Sequence, residues 1–571
     1  MKVGALAVLG AAGAFVLLAL PSAPRLLDTS GWADLAARTV PGAYHIHSIR
    51  SDGHGDRTQI AAAAARAGLK FIILTDHGDG TRPPDAPAYI DGILVLDGVE
   101  ISTDNGHYAA IGMPRAPYPL GGSGEAVVED VRRLGGFGIA AHPGSPKLAL
   151  RWTSPAQPDG IEWLNLDSEW RDESRSTLVR AGLAYFLRPG PALATLLDRP
   201  ETLERWNALV KKAPTVALAA VDAHGGVGRR AEDTSRSLSG TIGIPSYEAS
   251  FRTVSNRVIL DSPLSGDAAA DARAVYAAIR KGSVFTSVDA LAGPALVDFA
   301  FESGFNRKGM GSVLAEDADG TLVVRAVRPD GGELAIVHDG RVVATTHGTE
   351  LRHVLTGARG AYHVEIVAVS TTGMPPVPWV VTNPIYFGAK GPAVARAELS
   401  ARFGEASPKP LRGEGGAEGA RGAEGAIAPF PWRIEKDPSS SAVLRTTDRD
   451  ATLEYKLGEG ERANQFVALA TDLHEQSFSA IDLSVSGDHP QRVSVQLRTA
   501  DGRRWGRSYY IDPGGSALRV RVGDLAPVRP AAMEPHVRSN EATSLLLVVD
   551  LTNANPGRSG SLRVRSSAFV Q

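Results

Sequence analysis

The chain has 571 residues, with 60 Lys and Arg against 63 Asp and Glu, so its formal net charge is -3. This length exceeds what a single hydrophobic core usually organises, and several domains are expected. The balance of charge argues against a dedicated nucleic-acid-binding protein, whose binding domain would be basic. Cysteine is absent, which excludes disulfides and thiolate metal sites, so any metal must be held by His, Asp and Glu.

The N-terminus carries one early positive charge, Lys2, followed by an almost unbroken apolar run from Val3 to Leu20. This pattern is typical of a secretory signal peptide. The run is also just long enough to remain as a single membrane anchor. We therefore predict that residues 1–27 direct export, which makes the protein periplasmic, extracellular or membrane-anchored outside the cytoplasm. The sequence leaves cleavage and anchoring as alternatives.

Residues 28–290 alternate apolar strands with helices. Thr58–Ala67 is an Ala-rich helical stretch that Gly68 ends. The fully apolar segment Phe71–Leu74 is typical of a strand buried in a parallel sheet. Further strands and helices follow up to a helix over Asp271–Lys281. Such repeated units predict an α/β fold of the TIM-like barrel type.

The rest of the chain changes character twice. Residues 291–388 contain short strands separated by turn signals and predict a β-sandwich. Residues 389–428 are rich in Gly, Ala and Glu without apolar periodicity, which predicts a disordered linker. Residues 429–571 return to alternating strands and predict a jelly-roll-like β domain.

The C-terminal β domain is a candidate for carbohydrate contact, because jelly-roll folds often bind sugars, although this rests on fold analogy alone. Trp505, Tyr509 and Tyr510 are aromatic side chains that would stack on sugar rings if they were exposed. The competing interpretation is that they pack in the core of the domain.

Ligand-type side chains recur at the ends of the predicted strands. His45 and His47 alternate on a strand and so point to one face, with Asp52 in the turn that follows. In a barrel of parallel strands, the C-terminal strand ends meet at one rim. Five separate segments place such residues there, which favours a metal site. The predicted metal-binding residues are His45, His47, Asp52, His77, Glu100, His107, His142, Asp222 and His224.

Seven short motifs carry these residues: His45-Ile46-His47, Ser51-Asp52-Gly53, Thr75-Asp76-His77, Gly98-Val99-Glu100, Gly106-His107, Ala141-His142-Pro143 and Asp222-Ala223-His224. Their order resembles the PHP (polymerase and histidinol phosphatase) superfamily of metal-dependent hydrolases over about residues 40–290. The resemblance implies an irregular (β/α)7 TIM-like barrel with two or three divalent metal ions at the strand ends. An all-nitrogen and oxygen ligand set accepts Zn, Mn or Fe.

The resemblance also implies roles for individual residues, in three ligand sets of which two share Glu100. The first set is His45, His47, Glu100 and Asp222; the second is Glu100, His107 and His142; the third is Asp52, His77 and His224. Some members of the superfamily have a histidine in the place of Asp52, so occupancy of the third position stays open. Asp76 is expected to orient a histidine rather than bind metal, and His54 to be only a rim residue.

These features predict a metal-dependent hydrolase of the PHP type, with a phosphoesterase favoured. Metal ions would supply hydroxide near neutral pH and neutralise charge that develops on a phosphoryl or acyl oxygen. The predicted catalytic residues are Asp52 and Arg171. Arg171 is either a bidentate phosphate clamp or the partner in a surface salt bridge. The substrate would be a small molecule or a lipid- or glycan-linked ester.

Two alternative functions stay open. Asn383-Pro384-Ile385-Tyr386 resembles a branch of the superfamily that includes carbamate and ester hydrolases, which supports carboxylic or carbamate ester or amide hydrolysis on the same site. The other alternative is an envelope glycan-binding protein with the barrel as a scaffold. Trp152, Trp163 and Trp170 either wall the pocket or fill the barrel core.

Overall fold

The computed structural model describes residues 20–198, 200–226, 243–368, 377–388, 430–460, 465–473, 477–528, 534 and 536–571. Most of the predicted export segment and all of the predicted linker lie outside these residues. None of the helices in the described ranges has the length and apolar character needed to cross a membrane.

The chain divides into two compact units. The first comprises Met1–Gly78, Pro84–Pro114 and Gly135–Ala406. The second comprises Asp79–Pro83, Arg115–Leu134 and Ser407–Gln571. The second unit therefore takes a helix-bearing segment from the part of the sequence that was predicted to belong wholly to the barrel.

The α-helices of the described residues, numbered in chain order, are α1 (Ala33–Arg38), α2 (Arg57–Arg66), α3 (Gly124–Arg133), α4 (Leu166–Arg171), α5 (Arg175–Tyr185), α6 (Pro189–Ala194), α7 (Glu201–Val210), α8 (Tyr247–Phe251) and α9 (Ala268–Lys281). Short 3-10 helices occur at Ser30–Trp32, Val522–Asp524 and Ser539–Glu541. Local sequence fixes several helix ends. Asp56 and Gln59 form a capping box at the start of α2, and Gly282 ends α9 in the left-handed conformation.

The strands of the first unit are β1 (Arg25–Leu26), β2 (Thr39–Tyr44), β3 (Phe71–Leu74), β4 (Ala88–Ile90), β5 (Ile93–Thr103), β6 (Gly106–Ile111), β7 (Phe137–Ala140), β8 (Gly160–Asn165), β9 (Val216–Ala220), β10 (Ser255–Ile259), β11 (Val284–Ser287), β12 (Ala292–Gly293), β13 (Leu296–Ser303), β14 (Asn306–Gly309), β15 (Val313–Leu314), β16 (Ala318–Val327), β17 (Glu333–His338), β18 (Arg341–Thr346), β19 (Glu350–Ala358), β20 (Gly360–Val367), β21 (Val380–Thr382) and β22 (Ile385–Phe387).

One sheet of 16 strands carries the predicted ligands, which lie on or after strands of the series β2, β3, β5, β6, β7, β8 and β9; β10 and β11 continue the sheet on the other side of β2. Strands β2, β3 and β5 are parallel neighbours, as are β7, β8 and β9. Strand β6 lies antiparallel between β5 and β7. Backbone hydrogen bonds then join the end of β9 to the end of β2, from Val221 N to Tyr44 O (3.1 Å) and from His47 N to Ala223 O (3.0 Å). The last strand of the series is therefore bonded to the first.

This arrangement is less regular than the predicted repeat of strand and helix. Strands β5 and β6 form a hairpin, because Asp104-Asn105-Gly106 is a tight-turn sequence and Gly106 has φ +96. A side chain at Gly106 would also meet the carbonyl of Arg151 at 2.3 Å. Between β7 and β8 the described chain has no helix, since the connection contains Pro143, Pro155 and Pro158.

Residues 291–388 form two sets of strands. Strands β14, β13, β16 and β19 make a separate antiparallel sheet. Strands β17, β18 and β20–β22 instead extend the ligand-bearing sheet, because β21 pairs antiparallel with β11. This region is therefore continuous with the first sheet by hydrogen bonding, whereas the sequence predicted a sandwich following the barrel.

Asn383 fastens this extension to the strands beside it. Its side-chain oxygen accepts from the backbone N–H of Ala217 at 2.8 Å. Its side-chain nitrogen donates to the carbonyls of Ala217 and Val284 at 3.0 and 2.9 Å. Asn383 is buried, so these bonds are a structural role for the Asn383-Pro384 motif.

We expect Asn383→Ala to destabilise the protein by about 3 kcal/mol, because it leaves buried backbone groups of Ala217 and Val284 without their partner. Differential scanning calorimetry measures this loss. Asn306→Ala is the matched control, since Asn306 is exposed at the start of β14. A melting temperature unchanged by Asn383→Ala would contradict the structural role.

The second unit contains β23 (Arg433–Lys436), β24 (Ser441–Thr446), β25 (Ala451–Lys456), β26 (Phe466–Asp472), β27 (Ala480–Gly487), β28 (Gln491–Thr499), β29 (Arg504–Ile511), β30 (Ser516–Arg521), β31 (Ala526–Pro527), β32 (Ala542–Asp550) and β33 (Ser559–Val570). They form one sheet of six strands and one of five. Apolar side chains from both sheets share one buried cluster. The C-terminal part of the chain is thus β-rich, as predicted.

The three aromatic residues considered for sugar stacking are not an open surface. Trp505 belongs to the buried cluster and donates from Nε1 to the carbonyl of Glu534 at 2.9 Å. Tyr509 packs against the same cluster. The guanidinium of Arg133 covers the ring of Tyr510 at 3.6 Å from its centroid. Core packing and this cation–π contact account for all three.

Candidate metal centre

All nine predicted ligands come together at one end of the ligand-bearing sheet. His45 and His47 follow β2, and His77 follows β3. Glu100 lies in β5 and His107 in β6, where the β-hairpin places them side by side. His142 follows β7, while Asp222 and His224 follow β9. These side chains converge because neighbouring strands of the sheet place their ends at one edge, even where the strands are distant in sequence.

The carboxylate of Glu100 is the centre of this group. Its Oε2 lies 3.4 Å from Nε2 of His45 and 3.4 Å from Nε2 of His47. Its Oε1 lies 2.8 Å from Nδ1 of His107 and 2.8 Å from Nε2 of His142. Oε2 also lies 3.0 Å from Nδ1 of His77, so the two oxygens face different groups of imidazoles.

Asp222 completes the first of these groups. Its Oδ1 lies 3.5 Å from Nε2 of His45 and 3.3 Å from Nε2 of His47. A further group forms around Asp52, whose Oδ2 lies 3.2 Å from Nε2 of His224 and 3.7 Å from Nε2 of His77. Other contacts join these groups, since Nδ1 of His77 lies 3.0 Å from Oε2 of Glu100 and Nδ1 of His47 lies 3.3 Å from Oδ1 of Asp52.

Two buried atoms in the group lack the hydrogen bonds that buried polar atoms need. Nε2 of His45 and Oε2 of Glu100 have no hydrogen-bond partner among the described residues, although Nδ1 of His77 lies 3.0 Å from that oxygen. Leaving such atoms unpaired is costly. Since imidazole nitrogen and carboxylate oxygen are both metal donors, the residues present fit a divalent cation at this point.

Backbone strain is concentrated in the same residues. His45, His142 and Asp222 have φ of +66, +28 and +43, which side-chain-bearing residues rarely adopt. Such conformations cost free energy and persist where the surrounding structure enforces them, often at functional sites. The kink at His45 also ends β2 at Tyr44. The convergence of His45 and His47 therefore depends on this kink, whereas the sequence predicted simple alternation along a strand.

The centre has a strong affinity for positive charge. Burial alone would lower the pKa of His77, but Asp52 and Glu100 outweigh it and raise the pKa to about 10. Burial is likewise outweighed at His224, where Asp52 and Asp222 raise the pKa to about 9. Burial favours the neutral form of Glu100, yet the surrounding histidines hold its pKa well below its usual range.

Among the described residues of the centre, the Asp52 set is the most exposed. The side chain of Asp52 is 52% exposed and that of His77 is 37% exposed. Those of His45, His47 and Glu100 are at most 1% exposed. A substrate would therefore meet the Asp52 set first, with the other two sets behind it.

Glu162 is a functional residue that the sequence reasoning missed. It is fully buried in β8, and its Oε1 lies 2.6 Å from Nδ1 of His45. Its Oε2 accepts from the backbone N–H of His142 at 2.7 Å and from Nδ2 of Asn165 at 2.8 Å. Asn165 also donates to Oδ2 of Asp222 at 3.2 Å. Glu162 thereby orients His45 so that Nε2 points into the centre.

A signal for Glu162 was present in the sequence. The stretch Ile161-Glu162-Trp163-Leu164 was predicted as a strand, and an acidic residue inside an apolar strand needs a buried partner. The partner is a histidine from another strand, 117 positions away, so spacing alone could not identify it.

Asp76 does not contact a histidine directly. Its Oδ1 accepts from the backbone N–H of Ser48 and from the hydroxyl of Ser51, both at 2.7 Å. The hydroxyl of Ser51 lies 3.3 Å from Nδ1 of His47. Asp76 thus holds the turn after His47, and its effect on that histidine passes through Ser51.

Arg171 forms the salt bridge that the sequence left as one alternative. Its Nε and Nη2 donate to the Asp167 carboxylate at 2.5 and 2.9 Å. Its guanidinium also lies 4.5 Å from the ring centroid of Trp170. His54, predicted only at the rim, lies with Nδ1 3.0 Å from the carbonyl of His224.

A pocket that opens to solvent adjoins the centre. Asp222 and His224 form part of its wall. The rest is mainly apolar, with Leu196, Leu197 and Trp170 among the lining residues. Trp152 and Trp163 are instead fully buried in the protein interior. Of the three tryptophans considered as pocket walls, only Trp170 lines this pocket.

Comparisons with known proteins add no family assignment. No family model matches the chain. No curated protein matches it either. Among solved structures, one similar chain is a Bacteroides vulgatus two-domain protein containing a predicted PHP-like metal-dependent phosphoesterase, at 14% identity and a TM-score of 0.27 over 64% of this chain and 99% of that one. Another is a family 11 carbohydrate-binding module of a Clostridium thermocellum cellulosomal cellulase, at 11% identity and a TM-score of 0.21 over 26% of this chain and 89% of that one.

Proposed function

We propose that the protein is a metal-dependent hydrolase acting on phosphoesters, with an irregular PHP-type barrel as its catalytic unit. The observation that carries this proposal is the Glu100 carboxylate, which faces four imidazoles with its two oxygens while one oxygen stays without a hydrogen bond. A divalent cation would satisfy that oxygen together with the imidazole nitrogens around it.

The proposed ligand sets are the three that the superfamily resemblance implies. They are His45, His47, Glu100 and Asp222; Glu100, His107 and His142; and Asp52, His77 and His224. Divalent ions held there would lower the pKa of water and neutralise charge on a phosphoryl oxygen. The all-nitrogen and oxygen donor set suits Zn, Mn or Fe.

The protein's own residues have separate tasks in this proposal. Glu162 and Asn165 fix the orientation of His45 and Asp222. Asp52 and His77, at the solvent side, lie where an entering substrate would first meet the centre. The apolar pocket wall receives the organic part of the substrate and excludes water from it. Arg171 is held by Asp167, so we assign it to positioning Trp170 at the pocket.

The two alternatives stay hypotheses. The motif around Asn383 resembles the branch of carbamate and ester hydrolases, and its Asn383 side chain also bonds to backbone groups. Glycan binding rests on analogy with jelly-roll folds, and Trp505, Tyr509 and Tyr510 are buried or covered. Carbohydrate contact through another surface of the second unit stays a separate hypothesis.

Turnover of matched chromogenic substrates tests the proposed chemistry. p-Nitrophenyl phosphate, its phosphodiester analogue and p-nitrophenyl acetate share one leaving group and differ at the reacting centre. We expect phosphoester turnover after addition of Mn, Zn or Fe, with Glu100→Gln as the control for contaminating enzymes. Acetate cleavage without any phosphoester turnover would reject the proposal in favour of ester hydrolysis.

Substitutions in different ligand sets should have different consequences. His47→Ala removes a buried ligand of the first set, so we expect lower metal content and an activity loss of at least about 100-fold. Asp52→Ala removes the exposed ligand of the third set and should mainly reduce occupancy there. Metal analysis with activity assays compares the two variants, and His353→Ala in β19 is the histidine control. Equal loss of all metals from both variants would show that the division of roles is wrong.

Metal binding should release protons. His77 and His224, with pKa values of about 10 and 9, hold protons at neutral pH in the metal-free protein. Ligands must be deprotonated, so affinity should rise about tenfold per pH unit for each proton displaced. Because both pKa values lie above the ordinary 6.5, their stabilisation of the metal-free fold is fully present below pH 6.5.

That stabilisation is lost as pH rises through 9 and 10. The melting temperature of chelated protein should therefore fall over this range more steeply than that of metal-loaded protein. Calorimetric titration in buffers of different ionisation enthalpy measures the proton release directly. A binding enthalpy that does not depend on the buffer would contradict it.

A further inference from the structure

Helix α5 presents an apolar face to solvent. Val179 and Leu183 are 64% and 70% exposed, and Phe186 and Leu187, just past the helix end, are 76% and 60% exposed. Their spacing of four, three and one residues places them along one side of the helix. Large apolar side chains grouped in this way mark an interaction surface rather than ordinary scattered exposure.

The charged residues within the segment that bears this face are arginines, while Asp172, Glu173 and Asp198 lie just outside it in the sequence. Arg175 and Arg180 are exposed on the same helix. From Ser174 to Leu197 the sequence contains three arginines and no acidic residue. An apolar face flanked by arginines is the pattern of a helix that lies in the interface of a membrane with anionic lipids.

The apolar N-terminal run reaches the fold beside this face. Leu20, its last residue, packs against the buried cluster that contains Ala184 and Tyr185 of α5. The guanidinium of Arg188 donates to the carbonyl of Pro21 at 2.6 Å. The run Val3–Leu20 has no charged residue and the length of a membrane-spanning segment. A membrane reached through that run would therefore lie next to α5.

We propose that Val179, Leu183, Phe186 and Leu187 form a docking face for the surface of an anionic lipid bilayer. This face is independent of the proposed hydrolase activity. A bilayer fits better than a second copy of the chain, because a symmetric pairing of two such faces would bring like-charged arginines together. Lipid phosphates instead complement Arg175 and Arg180.

A single fluorescent label reports contact with lipid, because the chain has no cysteine of its own. The full-length Val179→Cys variant carries an environment-sensitive dye, with Phe305→Cys as the control at a fully exposed apolar residue elsewhere. Each labelled protein is mixed with two kinds of vesicle, one of phosphatidylcholine and phosphatidylglycerol and one of phosphatidylcholine alone. Both kinds contain a spin-labelled lipid that quenches the dye. We expect strong quenching at position 179 with the anionic vesicles and little at position 305.

Second-site changes separate the docking face from the N-terminal run. Leu183→Glu with Phe186→Glu should abolish quenching at position 179 while phosphoesterase turnover stays unchanged. The double variant Arg175→Gln and Arg180→Gln keeps the apolar face. Its affinity for the anionic vesicles, measured by quenching at position 179, should fall by at least about tenfold.

Two results would overturn the proposal. The first is that the dye at position 179 stays unquenched on protein that is bound to the vesicles, as shown by flotation together with them. The second is a label already shielded without vesicles. Shielding that grows with protein concentration would indicate a second copy, and shielding independent of concentration would indicate cover by residues of the same chain.

Discussion

Glu100→Gln is expected to remove most of the bound metal and to lower phosphoester turnover by about three orders of magnitude. Glu100 is the residue whose two oxygens face His45, His47, His107 and His142. Glutamine keeps the size of the side chain but removes its charge and replaces one oxygen by a donor. The first and second ligand sets therefore fail together, and with them several kcal/mol of charge stabilisation in the transition state.

Metal analysis of the purified variant beside the wild type, with activity measured on the same samples, checks this expectation. Glu365→Gln is a matched control, because Glu365 is also a buried carboxylate beside a histidine, with Oε1 3.3 Å from Nε2 of His363. A Glu100→Gln protein with wild-type metal content would show that Glu100 does not bridge the ions.

Arg492→Ala is expected to destabilise the second unit by about 3 kcal/mol, because it removes one of the two cations that pair with the buried Asp130 carboxylate, the other being Arg133. Arg492 Nε donates to Asp130 Oδ2 at 2.7 Å, and both side chains are at most 1% exposed. Its Nη2 donates to the carbonyl of Ala126 and to Glu129, each at 2.9 Å. Burial lowers the pKa of Arg492, but Asp130 and its neighbours raise it well above the ordinary range, so the pair stays charged.

The bond from Arg492 ties β28 to α3, a helix more than 350 positions earlier in the chain. Calorimetry or denaturant unfolding followed by tryptophan fluorescence measures the loss of stability. Arg519→Ala is the matched control, since Arg519 pairs with Asp482 at the surface of the same unit, and it should change the transition far less. Equal, small effects of both substitutions would contradict the importance of the buried pair.

The sequence located the candidate centre well because its residues obey a local rule. His77, His142, Asp222 and His224 each come just after an apolar strand, and parallel strands share one edge for their ends. To apply this rule it is enough to know where the strands lie in the sequence, and apolar runs such as Phe71–Leu74 indicate that. The rule does not need the three-dimensional positions of the strands.

Other features depended on contacts between distant segments. Glu162 lies inside a strand rather than at its end, and its partner His45 comes from another strand. Helix α3 was assigned to the barrel by its position in the sequence. Its Asp130 instead pairs with Arg492, whose role no local pattern reveals. The Asn383 motif was interpreted as a resemblance to a branch of carbamate and ester hydrolases. In the structure, the Asn383 side chain makes hydrogen bonds to the backbone of Ala217, which stabilise the fold.

The irregular connectivity has a local cause that was present in the sequence. The turn Asp104-Asn105-Gly106 requires a left-handed glycine and produces a hairpin where a helix would be needed for a parallel crossover. The hairpin brings Glu100 and His107 onto adjacent strands. The departure from a regular strand–helix repeat is therefore part of how the candidate centre is built.

Quantitative metal analysis of the full-length protein, purified without chelators, decides whether the candidate centre holds metal. We expect two or three equivalents of bound divalent transition metal, loss of phosphoester turnover when the metal is removed by chelation, and recovery when it is added back. Protein that holds no transition metal and hydrolyses phosphoesters in the presence of chelators would show that the candidate centre is not a catalytic metal site.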